Sequence, residues 1–397
     1  MKFSVLLPTR NRLDLLRFAV ETVRRQDYDD WEAIISDNFS EEDIEGYVRS
    51  LGDPRIKYFR TARFVPVTEN WNHALEKSSG DYVIMLGDDD CLMRGYLSTA
   101  HSLAEKFHSP DFIYTKAFLY AYPNVMPGYP GGFLNEAGCA GFFHISREPF
   151  LLDCAEARKL VKDSMNFRLS FDYNMQYFLI RREFIGSISD KGKFFQSSYP
   201  DYYAANVLFL KAKKILICPI PLVTIGISPK SFGYFYFNKR ERQGVEFLKN
   251  LPDASSIEHL RHVILPGTEM NTFWMLAMDT IQSNYGSEIP STVNYRRYRF
   301  LQIVHMFKTY FLDDGIPSAE FSELWRRMRI WEKTVYGSSL WLACQVAKWL
   351  PSYFRKMFGK HSLAVIGQYP EVELQEGQSR YANILEVFEQ VDPLHHP

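Results

Sequence analysis

Three consecutive carboxylates follow a short apolar run near the start of the 397-residue chain. The run Tyr82–Leu86 reads YVIML, and Gly87 then leads into Asp88, Asp89 and Asp90. Adjacent carboxylates repel one another, so at the end of a buried strand they favour a site that receives a cation or a cationic ligand. Carboxylate oxygens suit Mg²⁺ or Mn²⁺, and Mg²⁺ usually binds through one or two carboxylates plus substrate phosphates. The alternative is a solvated turn whose acids cap a helix.

Two further polar segments also end apolar runs. Residues 8–12 (PTRNR) supply backbone amides, a hydroxyl and two guanidiniums, which suit the phosphates or base edge of a nucleotide. Asp37 is suited to accept hydrogen bonds from a nucleobase or ribose. The alternatives are local: Asn11 can cap the next helix, and Asp37 can form an Asx-turn. The candidate nucleotide-binding residues of these two segments are Pro8, Thr9, Arg10, Arg12 and Asp37.

A regular alternation of strands and helices must position these segments. Apolar runs at 3–7, 31–36, 55–60 and 82–86 predict strands, and the stretches between them have helical spacing, including one helix at 69–77 capped by Thr68. Such repetition predicts a mostly parallel sheet flanked by helices, which is an α/β fold. Ligands of these sheets bind beyond the carboxyl ends of the strands, where all three polar segments fall.

Composition excludes several classes of protein. With 46 basic and 47 acidic residues the net charge is -1, and the sequence therefore predicts no nucleic-acid partner. The five scattered cysteines lack the spacing of a zinc site and favour a reducing, cytoplasmic compartment. Neither an export signal nor an apolar run long enough to span a bilayer is expected. No GxGxxG or GxxxxGK[ST] motif occurs near the first strand, which disfavours dinucleotide oxidoreductases and P-loop enzymes.

The ordered set of motifs resembles the nucleotide-sugar half of family 2 glycosyltransferases, which have the GT-A fold. The resemblance is carried by FSVLLPTRNR at 3–12, SDN at 36–38, ENWNHAL at 69–75, and GDYVIMLGDDD at 80–90. It is close over about the first 110 residues and looser to about residue 235. It implies an inverting transferase that moves a sugar from a nucleoside diphosphate, with uridine as the expected base, to an acceptor hydroxyl.

The resemblance also implies roles for individual residues. Thr9 and Asp37 match the nucleoside-binding positions, Asp88 the ribose-side acid, and Asp89 a ligand of Mn²⁺ or Mg²⁺, with Asp90 as a further candidate ligand. Many relatives have aspartate where this chain has Gly87, so the acidic motif is shifted, and which acid holds the metal stays open. Many relatives also have a metal-binding histidine in a later segment, whereas this sequence has none between His144 and His259.

Inverting transfer needs a base that takes the proton of the acceptor hydroxyl. The candidate is Asp201, which follows Pro200 immediately before an apolar helical stretch, and family relatives place their base in a similar acidic turn. The alternative is that Asp201 caps this helix. Asp172 is the reserve candidate.

A segment after the last strand of this region, residues 226–233, is a candidate lid. Ser228, Lys230 and Ser231 are suited to close over the diphosphate, with the flanking glycines as hinges. The alternative is an ordinary turn.

The chain is expected to divide into a GT-A catalytic domain at 1–237, with a nucleotide-sugar half at 1–110 and an acceptor half at 111–237, and a helical region at 238–397. Residues 321–360 hold eight basic and two acidic side chains and four of the seven tryptophans. Such a segment is typical of helices that lie on an anionic membrane surface, here the inner face of the cell membrane. The alternative is a helix packed on the catalytic domain with its basic face in water.

The leading hypothesis is therefore a glycosyltransferase that takes a nucleotide-sugar donor and acts on a glycan or lipid-linked acceptor in surface polysaccharide assembly. One rival is a sugar-1-phosphate nucleotidyltransferase. Such enzymes normally need a Gly- and Arg/Lys-rich loop after the first strand, which residues 8–12 do not supply. The other is a non-catalytic sugar-binding or scaffold protein, against which the retained carboxylates argue.

Overall fold

Two compact units make up the protein in its computed structural model. The described residues are 1–238, 240–249, 257–289, 291–312, 316–349 and 381–393. Of these, the first unit comprises 1–161, 170–249 and 381–393, and the second comprises 162–169 and 257–349, with the gaps already given. The expected boundary at 237 remains a prediction.

The first hundred residues of the first unit alternate between strands and helices, as the apolar periodicity predicts. The strands are β1 (Phe3–Thr9), β2 (Trp31–Asp37), β3 (Ile56–Arg60), β4 (Tyr82–Met85) and β5 (Cys91–Leu92). The helices are α1 (Leu13–Arg24), α2 (Ile44–Leu51), α3 (Val67–Glu76) and α4 (Tyr96–Lys106).

Two local expectations in this region are wrong. β1 does not end before Pro8 but continues through it to Thr9. The N–H that proline lacks would face β4, whose pairing with β1 ends at Leu6, so no ladder bond is lost. Thr68 does not cap α3, which begins at Val67; its hydroxyl donates instead to the backbone oxygen of Ser197, 2.7 Å away.

The rest of the first unit adds strands, helices and irregular loops. The strands are β6 (Phe112–Ala121), β7 (Phe133–Ala137), β8 (Phe150–Leu152), β9 (Phe178–Arg181) and β10 (Ile215–Ile227). The helices are α5 (Cys154–Met165, whose last turn belongs to the second unit), α6 (Arg182–Ser187), α7 (Pro200–Lys211), α8 (Phe232–Phe237) and α9 (Glu241–Leu248). β10 is a single long strand, whose pairing with β6 shifts register on either side of Pro221.

The described strands form one ten-stranded sheet of order β3-β2-β1-β4-β9-β6-β10-β5. The central path from β3 to β10 is mostly parallel, whereas β5, β7 and β8 are antiparallel to their partners β10, β6 and β10. β1 to β4 pair in parallel, as do β6 and β10, whereas β9 is antiparallel to both of its neighbours. This confirms the α/β fold class. The carboxyl ends of β1, β2 and β4 consequently meet at one edge.

The second unit is helical. Its helices are α10 (Glu269–Tyr285), α11 (Tyr295–Phe311), α12 (Ser318–Arg327), α13 (Ile330–Glu332) and α14 (Ser338–Trp349), and a π-helical turn at Lys333–Gly337 leads into α14. An apolar cluster around Ile303, Phe307 and Leu324 forms its core. Arg299 and Glu332 are both buried and form two hydrogen bonds of 2.7 and 2.6 Å.

A short terminal helix, α15 (Ile384–Gln390), belongs to the first unit and packs on α1. Arg25 contacts the carboxylate of Glu389 at 2.6 Å, and the hydroxyl of Tyr120 donates to the backbone oxygen of Tyr381. Within the described residues, no helix has the length and apolar character needed to cross a membrane. All five cysteines are free.

Candidate active site

The candidate site lies where β1, β2 and β4 end. Thr9 pairs with Asp37 across β1 and β2, and Leu6 pairs with Met85 across β1 and β4. Continuing the second register by three residues brings Thr9 level with Asp88, and the hydroxyl of Thr9 donates to Oδ2 of Asp88 at 2.7 Å. The three polar segments singled out from the sequence are therefore brought together.

Arg12 is the cation of this site. Its guanidinium is largely buried. The Nη1 atom lies 2.7 Å from Oδ1 of Asp88 and 3.9 Å from Oδ1 of Asp89. Burial alone would lower the pKa of Arg12, but the charges of Asp88 and Asp89 outweigh it and the pKa is raised. Arg12 therefore remains protonated and holds one end of the acidic loop.

The three carboxylates of the loop have different partners. Asp88 accepts from Thr9 and Arg12. Oδ2 of Asp89 accepts from the hydroxyl of Ser228 at 2.6 Å. Asp90 accepts from three N–H donors, the backbone amides of Gly87 and Gly226 and the side-chain amide of Gln176.

Burial, followed by the negative charge of Asp89, raises the pKa of Asp90 to about 8. Three carboxylates lie in this loop. Among the described residues, one cation, Arg12, is at ion-pair distance from them, so the loop carries an excess of negative charge. The hydrogen bonds of Asp90 hold the shape of the loop.

Two glycines allow the backbone to approach this loop closely. A Cβ at Gly87 would overlap the carboxylate of Asp90, which folds back onto the Gly87 amide. A Cβ at Gly226 would overlap the backbone oxygen of Asp89. Gly226 thus serves close contact between β10 and the acidic loop. The hinge role expected of Gly226 stays a prediction.

Asp37 is fully buried, and both of its oxygens have partners. Oδ1 accepts from the backbone amide of Ser40 at 2.8 Å, which is the local turn contact of the simpler interpretation. Oδ2 accepts from the hydroxyl of Tyr58 at 2.8 Å and lies 3.8 Å from Arg60. Asp37 has no exposed surface in this structure, and its nucleoside-binding role stays a prediction.

The loop after β1 is fixed by its neighbours. Asn11 adopts a left-handed φ of 51° and bonds through its side chain to the amide of Glu41, so it does not cap α1. The α1 amide of Leu13 instead bonds to the carboxylate of Glu42. Arg10 lies with its guanidinium carbon 3.7 Å from the ring centre of Phe64, and Pro8 is the last residue but one of β1.

Residues 228–231 lie across the loop that follows β1. The hydroxyl of Ser228 reaches Asp89, and Nζ of Lys230 donates to the backbone oxygen of Asn11 at 2.6 Å. The guanidinium of Arg12 in turn contacts the backbone oxygen of Lys230. Ser231 caps α8 by accepting from the amide of Tyr234. The segment is thus tied to both the acidic loop and the loop after β1.

Asp201 lies in the first turn of α7, but the N-cap residue is Tyr199, so the alternative that Asp201 caps this helix is wrong. Its Oδ1 accepts from the amide of Tyr202 at 3.0 Å. Burial raises the pKa of Asp201 to about 7. The ring of Tyr202 packs edge-on against Tyr173, three residues before the Gln176 that holds Asp90.

The reserve candidate Asp172 is buried, and its pKa is raised by that burial. Its Oδ2 accepts from the amide of Cys139 at 2.8 Å, and its own amide and carbonyl bond to the hydroxyl of Tyr114. These contacts fix the loop before β9, and they account for Asp172 without a catalytic role.

Sequence reasoning missed Gln176 and Tyr58, which hold Asp90 and Asp37. It also missed Phe64, on which Arg10 packs. Gln176 follows a long irregular loop, and no local pattern points from it to residue 90. Tyr58 could have been found, because it lies in the predicted strand that follows, along the chain, the strand ending at Asp37.

The oxygen atoms of the loop fit a divalent cation if one carboxylate binds it together with the phosphates of the substrate. Within the described residues, no group of three or more histidine, cysteine, aspartate or glutamate side chains is arranged to hold a metal ion. The hard oxygens of a single carboxylate suit Mg²⁺ or Mn²⁺ when substrate phosphates complete the coordination. Asp89, whose Oδ2 has a hydroxyl partner that can turn away, provides such a carboxylate.

Fold and site together define the class: an α/β domain with an acidic loop and a basic loop at the carboxyl ends of neighbouring parallel strands. Residues 4–123 match the family described as Glycosyl transferase family 2. This match confirms the resemblance that the motifs of this segment carry.

Two curated relatives match the same region. A Campylobacter jejuni protein named GalNAc(5)-diNAcBac-PP-undecaprenol beta-1,3-glucosyltransferase is 39% identical over 114 residues, which are 28% of this chain and 37% of that protein. A Rickettsia bellii protein named an uncharacterized glycosyltransferase is 32% identical over 97 residues, 24% of this chain and 14% of that protein. The matches span less than half of either relative.

A solved structure of S. aureus TarS, residues 1–349, aligns with 89% of this chain and 93% of its own. Its sequence identity to this chain is 14% and the TM-score is 0.44.

Proposed function

We propose that the protein is an inverting glycosyltransferase, which transfers a sugar from a nucleoside-diphosphate sugar, with UDP as the expected nucleotide, to an acceptor hydroxyl. The observation that carries the proposal is the contact of Arg12 and Thr9 with Asp88 inside a segment that matches family 2. It gathers a guanidinium, a hydroxyl and three carboxylates at one sheet edge, where α/β enzymes bind nucleotides.

In this proposal the loop after β1 binds the donor. Thr9 and Asp88 face the nucleoside, and the guanidinium of Arg12 offers charge to the diphosphate, a role in which arginine forms strong paired hydrogen bonds. Lys230, held beside Asn11, adds a second positive charge from the segment that lies across the loop. Closure of residues 228–231 over the donor would exclude water from the bond that breaks.

Asp201 is the proposed base. Its oxygen takes the proton of the acceptor hydroxyl while the acceptor oxygen bonds to the anomeric carbon of the donor sugar. The bond between that carbon and the phosphate oxygen breaks, and its electron pair leaves with the nucleoside diphosphate. Attack from the face opposite the leaving group inverts the anomeric configuration. A carboxylate with a pKa of about 7 is matched to this task at neutral pH.

A bound Mg²⁺ or Mn²⁺ would supply neutralisation of the charge that develops on the diphosphate. We assign its protein ligand to Asp89 rather than Asp90. The support is the partner set of each residue: Asp90 accepts three N–H bonds, whereas Oδ2 of Asp89 accepts one bond from a serine hydroxyl.

The proposed acceptor is a glycan or a lipid-linked sugar in bacterial surface polysaccharide assembly. The name of the Campylobacter relative, which acts on a sugar carried by undecaprenyl diphosphate, supports a lipid-linked acceptor. We therefore place the protein in the cytoplasm, attached peripherally to the inner face of the cell membrane.

The proposed membrane contact is the outer face of α14 and the turn before it. Apolar side chains are exposed there: Val335, Trp341, Leu342, Val346 and Trp349, the last 84% exposed. Lys333 and Lys348 flank this face. Exposed tryptophans beside lysines are typical of surfaces that lie in an anionic bilayer interface. Of the basic residues in the 321–360 prediction, Arg355, Lys356 and Lys360 lie outside the described residues.

The transferase proposal is tested with a panel of UDP-, GDP- and dTDP-sugars, measuring release of nucleoside diphosphate with Mn²⁺, Mg²⁺ or EDTA. We expect one nucleotide to be preferred, and EDTA and Asp89→Asn each to lower turnover at least about a hundredfold, as loss of charge stabilisation does. Glu136→Gln, a carboxylate change on β7, is the control. Turnover unaffected by both EDTA and Asp89→Asn would exclude the metal assignment, and no release from any donor would exclude the transferase.

Membrane contact is tested by flotation with vesicles of phosphatidylglycerol and phosphatidylcholine at low salt. We expect the protein to float with the anionic vesicles, and Trp341→Ser with Trp349→Ser to abolish this. Phe39→Ser replaces an exposed aromatic residue of the first unit and should leave flotation unchanged. If the wild-type protein stays in the soluble fraction, or self-associates through these tryptophans without vesicles, the membrane proposal is wrong.

A further inference from the structure

The last turn of α9 lies against both loops that hold the arginines proposed for the donor. The ring of Phe247 lies on Arg12, whose guanidinium carbon is 5.4 Å from the ring centre. Nζ of Lys249 donates to the backbone oxygen of Phe64 at 3.0 Å and lies 5.0 Å from the centre of its ring. Arg10 packs on the same ring. This end of α9 therefore contacts Arg12 directly and Arg10 through Phe64.

Arg12 has little open surface in this arrangement. Its side chain is 11% exposed, because Asp88 and the backbone oxygen of Lys230 hold its N–H groups and Phe247 lies over its face. A diphosphate binds a guanidinium through paired N–H donors, which its oxygens must be able to reach. The proposed contact between Arg12 and the donor therefore requires part of this cover to move away.

α8 and α9 are packed together as a pair. Gly244 of α9 lies so close to α8 that a Cβ there would be 2.9 Å from Cβ of Phe235. The ring of Phe235 also packs on Phe247, with ring centres 6.1 Å apart. Two elements packed this closely are expected to move as one body.

The contacts of α9 with the donor loops are of a weaker kind. Phe247 offers Arg12 a cation–π contact, and the ammonium of Lys249, on an exposed residue, bonds to a neutral backbone oxygen. Near the protein surface, one such contact changes an equilibrium constant about two- to fivefold. A diphosphate forms stronger, charge-assisted bonds with a guanidinium and can displace them.

We propose that the pair of helices α8 and α9 is a gate on the donor site, and that its position over Arg12 competes with the nucleoside diphosphate. Phe247 and Lys249 are the latches that hold the gate shut. This inference rests on the proposed transferase function and adds regulation to it. The apparent affinity for the donor is then the affinity of the open site multiplied by the fraction of molecules in which the gate is open.

A gate and a binding wall have opposite consequences on substitution. If Phe247 held Arg12 in place for the donor, removal of its ring would weaken nucleotide binding. If Phe247 is a latch, removal of the ring destabilises the closed gate alone, and nucleotide binding becomes tighter. The sign of the change therefore separates the two roles.

Isothermal titration of the full chain with UDP and Mg²⁺ measures this sign. Phe247→Leu keeps apolar bulk beside Phe235 and removes the aromatic face, and Lys249→Met keeps the stem and removes the ammonium. Each should tighten UDP binding about two- to fivefold, and the double variant about five- to twentyfold, since the two latches contact different residues. Phe247→Tyr, which keeps the ring, should bind UDP within about twofold of wild type.

Gln243→Met, at an exposed position of α9, is the matched control and should leave UDP affinity unchanged. Circular dichroism checks that each variant is folded. Hydrogen exchange gives a second readout on the wild-type protein: the backbone amides of α9 should exchange faster when UDP is bound, because the diphosphate displaces the gate.

Weaker or unchanged UDP binding in both single variants would overturn the gate and leave the donor site standing, as would slower exchange of the α9 amides with UDP. If neither wild type nor the double variant binds UDP, GDP or dTDP, the proposed transferase function fails and the gate fails with it. Binding by the double variant alone would support both.

Discussion

Replacing Asp201 with asparagine should remove activity and stabilise the protein at the same time. Asparagine keeps the size of the side chain and the oxygen that accepts from the amide of Tyr202. It removes the negative charge, which burial disfavours, and with it the proton acceptor of the proposed reaction. A residue retained for structure alone would lose stability on substitution, whereas a catalytic carboxylate held in an unfavourable setting should gain it.

The size of the effect follows from the pKa of Asp201, which burial raises to about 7. An unfolded aspartate titrates near pH 4, at about 3.9. Between these values the native state holds a proton that the unfolded state has lost, so the free energy of unfolding falls as pH rises. Three pH units at about 1.4 kcal/mol each give a loss of about 4 kcal/mol, complete above pH 8. Asp201 keeps some exposed surface, and a realistic loss is about 2 kcal/mol.

Urea unfolding of wild type and Asp201→Asn at pH 5, 6, 7 and 8 measures this difference. Between pH 5 and pH 8 the variant should gain about 1 kcal/mol on wild type, since part of the total loss falls below pH 5, while other titrating groups cancel in the comparison. Transfer by wild type should rise with pH and level off above about pH 7, because the base must be ionised, and the variant should lose about a hundred- to ten-thousandfold. Asp190→Asn, an exposed aspartate, is the matched control.

Two results would refute this reasoning. Parallel stability curves for wild type and variant would mean that Asp201 is ionised in the native state without penalty. Transfer at the wild-type rate by Asp201→Asn would exclude it as the base. Stabilisation without loss of transfer would retain the burial argument and move the base elsewhere.

Three further substitutions test contacts on which the site and fold depend. Arg12→Met leaves buried carboxylates without their guanidinium and should lower the free energy of unfolding by about 3 to 5 kcal/mol, measured in urea. Gly226→Ala should cost about 1 to 3 kcal/mol, since the added methyl overlaps backbone, whereas Gly141→Ala, at an open position, should be neutral in the same thermal melts. In the second unit, Arg299→Met should cost about 3 to 5 kcal/mol by stranding Glu332 in the core.

Each expectation has a clear contrary result. An Arg12→Met protein as stable as wild type would mean that the acidic loop does not need its cation. Equal melting temperatures for the two glycine variants would show that β10 can move away from the acidic loop. If Arg299→Met left the free energy of unfolding unchanged, Glu332 would have to be in contact with water rather than buried.

The sequence could predict the strands and the meeting of the three polar segments because both depend on local pattern. Apolar runs separated by helical spacing define β1, β2 and β4, and parallel strands necessarily end at the same edge. This pattern alone places Thr9, Arg12 and Asp88 at one site. Pattern also located Asp201 at the start of a helix, since Pro200 marks the first turn.

Contacts between distant segments were beyond the reach of such reasoning. Gln176 reaches Asp90 across 86 positions of sequence, and Ser228 reaches Asp89 across 139. Neither has a spacing that a local rule could read. The errors at Pro8 and Thr68 have the same origin, because the pairing of β4 and the carbonyl of a distant loop decided them.

The acidic loop shows why a run of like residues does not assign a metal ligand by itself. Asp88, Asp89 and Asp90 are the same residue type, but their partners differ. Asp88 accepts from a guanidinium, Asp89 accepts from a serine hydroxyl, and Asp90 accepts from three N–H groups. A carboxylate that already accepts from rigid backbone amides would have to give up those bonds to bind a cation, at a cost comparable to the desolvation of the amides. A serine hydroxyl can rotate and let the oxygen go. The partners, which come from β10 and from a loop far along the chain, therefore single out Asp89 among three equal candidates.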